Sequence, residues 1–283
     1  MSQITACIDG SLESSAVCDA ASWVSHKLKT PVTLLHVLEK NPQVETDMSG
    51  NIGLGSREHL LKQLTHLDAE RARLALEHGR LLLEEARARI ISDGVSEVET
   101  LQRHGRLSDE VLTLESATRV LVLGRQGAGH KDVAMSSLGS QIETILRSVS
   151  CPVLVTTGSF SAPRQFMVAY DGSDAAERAM QSYSHSPLLT DATCHLVMVN
   201  HDDEEHRRKL QEAADTLAKK GIEVITSHTQ GDVLKTLKHY QRENDIDLMV
   251  MGAYGHSRIR QFFLGSHTRN MLSHSVIPLL LLR

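Results

Sequence analysis

The sequence predicts an α/β protein made of two copies of one parallel-sheet unit. Three observations carry that expectation: motifs recurring in the same order in both halves, apolar strand-like runs alternating with helical patterns, and the length. At 283 residues the chain accommodates two domains of about 100–200 residues each. Ile4-Thr5-Ala6-Cys7-Ile8-Asp9-Gly10-Ser11 resembles Met167-Val168-Ala169-Tyr170-Asp171-Gly172-Ser173. Leu138-Gly139-Ser140 matches Leu264-Gly265-Ser266, and residues 148–154 match 274–280. The expected units are residues 1–157 and 165–283, joined by a Gly/Ser/Pro-containing linker. The first unit carries an extra segment at about residues 40–94.

The second copy shows the element order most plainly. Residues 166–170 read as an apolar strand ending at Asp171-Gly172, and 173–184 as a helix with Ser173 at its N-cap. A strand at 194–199 precedes an amphipathic helix over 204–220 that Gly221 closes. Then come a strand at 223–227, a helix at 232–243, a strand at 247–251, a helix at 265–273 and a last strand at 279–282. Strands alternating with helices imply a parallel sheet covered on both faces, and the near-continuous apolar strands agree. Ligands of such sheets bind at the carboxyl ends of strands where strand order reverses.

In the extra segment a glycine-containing run at 49–56 leads into a helical pattern over 57–91. Leu60, Leu61, Leu64, Leu67, Leu74, Leu81 and Leu82 follow helical spacing. This helix covers its own sheet or meets a partner helix; periodicity alone leaves both open. The last strands, 152–155 and 278–282, are apolar and expected at sheet edges, which invites strand pairing. The two halves are therefore expected to pair as an intrachain pseudo-dimer, with a homodimer of whole chains as a further step.

Composition excludes several function classes. Net charge is −5 and pI about 6.3, so no basic field gathers nucleic acid. Aromatics at 3% leave little for stacking on bases. No apolar run approaches the ~18 residues of a spanning helix, and the first ten residues show no secretory pattern. A cytoplasmic location is expected. Cys7, Cys18, Cys151 and Cys194 form no Cys-x-x-Cys pair. The acidic run from His201 to His206 reads as a solvated helix start rather than a metal site.

The glycine loops carry the functional signal. Gly252-x2-Gly255-x9-Gly265-Ser266 follows an apolar strand and opens a helix. Glycines let backbone N–H groups approach an anion, and a helix N-terminus offers free donors with positive dipole. Those are the parts of a phosphate cradle. The spacing, the strand-1 Asp-Gly-Ser and the final Val-Ile-Pro-Leu-Leu strand resemble the nucleotide-binding universal stress proteins, and the resemblance extends over both halves. It implies two Rossmann-like domains, each an open parallel five-stranded sheet of order 3-2-1-4-5 with helices on both faces. It also implies ATP or another adenine nucleotide as ligand, with Mg²⁺ or Mn²⁺ carried by the phosphates, and dimerisation through the last strand. The implied binding positions are Asp171, Val199, Gly252, Gly255, Gly265 and Ser266.

The first half departs from this pattern. Its loop retains Gly124-x2-Gly127, but eleven residues then precede Gly139-Ser140. Counting back nine from Gly139 reaches Gly129, which puts Gln126 in the first glycine place. Asp9, Gly124, Gly127, Gly129, Gly139 and Ser140 are the corresponding candidates, and nucleotide binding is expected mainly in the second half. No Gly-x-Ser-x-Gly, His-Glu-x-x-His or Walker motif is present, and no acid–base pair accompanies Asp171. The expectation is a stress-response or signalling module without dedicated catalysis. The alternatives are a slow ATPase or phosphate-chemistry hydrolase, or a scaffold whose degenerate pocket takes a non-nucleotide ligand.

Overall fold

The computed structural model describes residues 2–39, 54–126, 141–173, 176–177, 180–181, 186–200, 203–252 and 266–282, with side chains outside 54–61 and 266–267. Among these residues, β1 (Gln3–Cys7), β2 (Val32–Leu38), β3 (Val98–His104), β4 (Thr118–Gly124) and β5 (Val153–Thr156) belong to the first half. β6 (Gln165–Ala169), β7 (Thr193–Val199), β8 (Val224–Thr229), β9 (Leu248–Gly252) and β10 (Leu279–Leu282) belong to the second. The strands form one sheet of order β3-β2-β1-β4-β5-β10-β9-β6-β7-β8. Each half is parallel and has the expected order 3-2-1-4-5 counted within itself. The sheet as a whole is mixed, because β5 and β10 pair antiparallel, Leu280 opposite Leu154.

This junction is the expected pairing of the two halves. Each last strand is the edge of its own half and the two edges close on each other, so β5 lies between β4 and β10, and β10 between β5 and β9. Burial accounts for the choice. Val153, Leu154, Val155 and Leu279 to Leu281 are all at most 3% exposed, and burying each such side chain contributes roughly 1.5–3 kcal/mol. The remaining edges of the sheet are β3 and β8; on β3 the exposed Glu99, Arg103 and His104 discourage strand addition.

Alternation along the strands sends apolar side chains to both faces. One face holds Ile4, Leu34, Val122, Phe166, Leu196 and Val250 beneath α1 (Ser14–Leu28), the end of α2 (Leu54–Ser92) and α5 (Glu204–Ala218). The other holds Leu121, Val153, Met167, Val197 and Leu281 beneath α3 (Leu107–Leu114), α4 (Ile142–Ser148), α6 (Val233–Glu243) and α7 (Ser266–His274). Each layer runs across both halves. Contacts outside the sheet add to this: the Trp23 and Phe160 rings, 5.6 Å apart, hold the connecting segment on the first half, and Lys27 pairs with Asp191 across the halves.

The first reading of the extra segment, a helix that covers its own sheet, holds for its carboxyl part. The carboxyl end of α2 packs on β2 and β3 through Gly79, Leu83, Ala86 and Ile90. A β-carbon at Gly79 would collide with the Gln102 amide and the His36 ring, so only glycine permits this approach. Residues 62–78 are exposed along their whole length.

Candidate functional site at the strand ends

In the second half β6, β7 and β9 are adjacent, with Ala169 level with Val197 on one side and Met251 on the other. Continuing this register brings Asp171, Val199 and Gly252 together at the carboxyl ends of three neighbouring strands. The connections reverse direction between β6 and β9, which makes this cleft the topological switch point where such sheets bind ligands. Asp171 is exposed, and its Oδ1 accepts the Ser173 N–H at 3.0 Å. Ser173 Oγ accepts the Ala176 N–H at 3.3 Å, which is the expected cap. Lys209, from α5, reaches over this turn; its Nζ lies 3.4 Å from the Gly172 carbonyl and 3.2 Å from Glu205. Helix α7 begins at Ser266, as the loop spacing predicts. Gly255 and Gly265 lie outside the described residues, as does the side chain of Ser266.

The first half repeats the frame. Ala6 of β1 is level with Val122 of β4, so Asp9 and Gly124 are neighbours in turn. Asp9 Oδ1 accepts the Ser11 N–H at 2.9 Å, the same turn that Asp171 makes. What stands over the frame is different. Glu13 is buried, and its Oε2 accepts the Gln126 N–H at 2.9 Å. A β-carbon on Gly124 would stand 2.9 Å from that same oxygen, so the glycine makes room for a carboxylate of the chain itself. Burial pushes the Glu13 carboxyl above its ordinary range. The N–H groups of Gln126, Gly158 and Arg125, with the Arg125 charge, pull it back. Arg125 is itself buried and donates from Nη1 to the Ser275 carbonyl at 2.5 Å, joining this loop to the other half. Over Gly10 lies Leu82 of α2, where the second half has a lysine. Gly127, Gly129, Gly139 and Ser140 lie outside the described residues.

Glu13 is thus the structural difference that reading the glycine loops alone misses. The signal was available in the repeat. Counting four residues on from each motif aspartate reaches Glu13 in one half and Ala175 in the other. The acidic run at the start of α5 behaves as a helix start: Asp203 accepts the His206 N–H at 2.9 Å and bonds its ring at 2.7 Å. These bonds hold the Asp203 carboxyl below its usual range. Among the described residues no cluster of His, Cys, Asp or Glu could hold a metal ion.

The model of the universal stress protein family matches residues 1–157 and again 163–283. The chain belongs to the universal stress protein family. It is 34% identical over 288 aligned positions to universal stress protein Slr1230 of Synechocystis sp. (strain PCC 6803), covering all of both chains. Universal stress protein YxiE of Bacillus subtilis is 23% identical over 145 positions; the match spans 42% of this chain and 98% of that protein. A universal stress protein from Archaeoglobus fulgidus superposes over 99% of this chain and 98% of its own with a TM-score of 0.73 at 18% identity. That likeness establishes a tandem universal stress protein fold over the full length. No described helix is long and apolar enough to cross a membrane.

Proposed function

We propose that this universal stress protein binds ATP or another adenine nucleotide at the strand ends of its second half and works as a stress-response or signalling module without dedicated catalysis. The observation that carries the reading is the convergence of Asp171, Val199 and Gly252 at the switch point, with a helix opening at Ser266. A carboxylate there suits ribose hydroxyls, Val199 suits one face of a base, and a helix N-terminus favours phosphate. Gly255, Gly265 and Ser266 would complete the phosphate cradle, and Mg²⁺ or Mn²⁺ would be held by phosphate oxygens. The first half fits this ligand poorly, since the Glu13 carboxylate already uses the Gln126 N–H. In this reading the units are residues 1–157 and 165–283, and only the second works as the nucleotide sensor. Occupancy acts by differential affinity for two conformations or partner states, and a second copy of the chain is one such partner. Four free thiols suit a reducing, cytoplasmic setting. Calorimetric titration of Mg-ATP into the whole chain should show one saturable site per chain. Absence of saturable binding by ATP, ADP and AMP alike would overturn the reading.

A further inference from the structure

Helix α2 has 39 residues, about 58 Å at 1.5 Å per residue, yet only its carboxyl end packs on the sheet. Along the projecting part leucine recurs every seventh residue, at Leu60, Leu67, Leu74 and Leu81. Leu67, Leu74 and Leu81 are 48%, 62% and 51% exposed, whereas Leu83, on the face toward the sheet, is 4% exposed. The leucine stripe therefore points away from its own domain. In heptad terms these are d positions, and Leu64, Arg71 and His78 are the a positions between them. A leucine d position sustained over four heptads with acidic g positions beside it suits a coiled-coil seam, which the polar a positions Arg71 and His78 weaken.

We propose that this stripe pairs in parallel with the same helix of a second copy of the chain. Charge decides the occupant and its direction. The g positions are Gln63, Glu70, Glu77 and Glu84, of which Glu77 and Glu84 also pair with Arg80 of their own helix. In a parallel pair each a side chain enters a hole bordered by the preceding g residue of the partner helix. Arg71 then lies beside Glu70 of the second copy and His78 beside Glu77, contacts that offset the meeting of Arg71 with its own counterpart across the seam. In an antiparallel pair the glutamate-lined g edges would face each other and repel. Sheet extension through β5 and β10 is closed to a second copy, because those strands pair within the chain. Arg71 and His78 at a positions lower stability in exchange for register, so the pair is reversible. The proposal stands apart from the nucleotide reading.

Sedimentation velocity of the whole chain across roughly 1–300 µM should show a monomer–dimer equilibrium. The double variant Leu67→Glu/Leu74→Glu alters only exposed positions, keeps the native circular dichroism, and should remain monomeric throughout. Arg71→Cys should form an intermolecular disulfide under mild oxidation that the parent chain does not form, because a parallel seam brings position 71 against itself. A parent chain monomeric over the whole range, or a dimer that survives the double leucine variant, would overturn the proposal. Leucine-dependent dimers without the position-71 cross-link would overturn the parallel register.

Discussion

The two strand-end sites share a frame and differ in what fills it. Asp9 and Asp171 make the same turn, with Oδ1 accepting an N–H two residues on at 2.9 Å and 3.0 Å. Both are followed across a neighbouring strand end by a glycine, Gly124 or Gly252. In the first half the Glu13 carboxyl accepts the loop N–H of Gln126. The matching sequence position in the second half is Ala175. A repeated fold thus conserves sheet geometry through many buried contacts, while the side chains that stand over each frame differ.

The comparison can be broken most strongly at Gly255. Gly255→Val puts a branched side chain where backbone amides must approach phosphate, and should abolish ATP binding in calorimetry while the fold persists, because loops tolerate change. Next, Ala175→Glu transplants the first-half carboxylate into the second. Like charges about 6 Å apart at an effective dielectric near 20 repel by roughly 3 kcal/mol, so ATP affinity should fall about a hundredfold. Undiminished affinity in this variant would remove the carboxylate from the account of the asymmetry.

Ser266→Ala deletes one hydrogen bond to a charged group, worth roughly 1.5–3 kcal/mol, and should weaken ATP about ten- to a hundredfold. Ser140→Ala should leave ATP affinity unchanged, and the reverse ranking would assign the site to the wrong half. Glu13→Ala strips the Gln126 N–H of its partner, costing about 1–3 kcal/mol of stability, read as a lower midpoint in urea denaturation. It should not add a second nucleotide, since the longer first loop is unchanged. The smallest effect belongs to Asp171→Asn: the amide still accepts the Ser173 N–H and can bond a ribose hydroxyl, so affinity should fall less than tenfold in the same titration.

Much of this was legible in the residues. Apolar runs marked the strands to within a residue or two; 194–199 became Thr193–Val199 and 279–282 became Leu279–Leu282. Such segments are buried on both faces, so local pattern and tertiary environment agree. The Asp-Gly turns were equally plain, because a motif side chain bonds its own backbone two residues on. The pairing of β5 with β10 was legible too, because an apolar last strand at the edge of each half calls for cover by its counterpart. Glu13 lay further out of reach, since its bond to Gln126 spans 113 residues and no periodicity encodes it. Helix α2 divided the same way. Its spacing announced a helix, but the point at which it leaves the sheet depends on how closely Gly79 meets His36 and Gln102.

The most direct test counts bound nucleotide by native mass spectrometry of the whole chain with Mg-ATP, set beside Gly255→Val and Glu13→Ala. The account predicts one nucleotide per chain in the parent, none in Gly255→Val and one in Glu13→Ala. Two nucleotides per parent chain, or one retained in Gly255→Val, would contradict it.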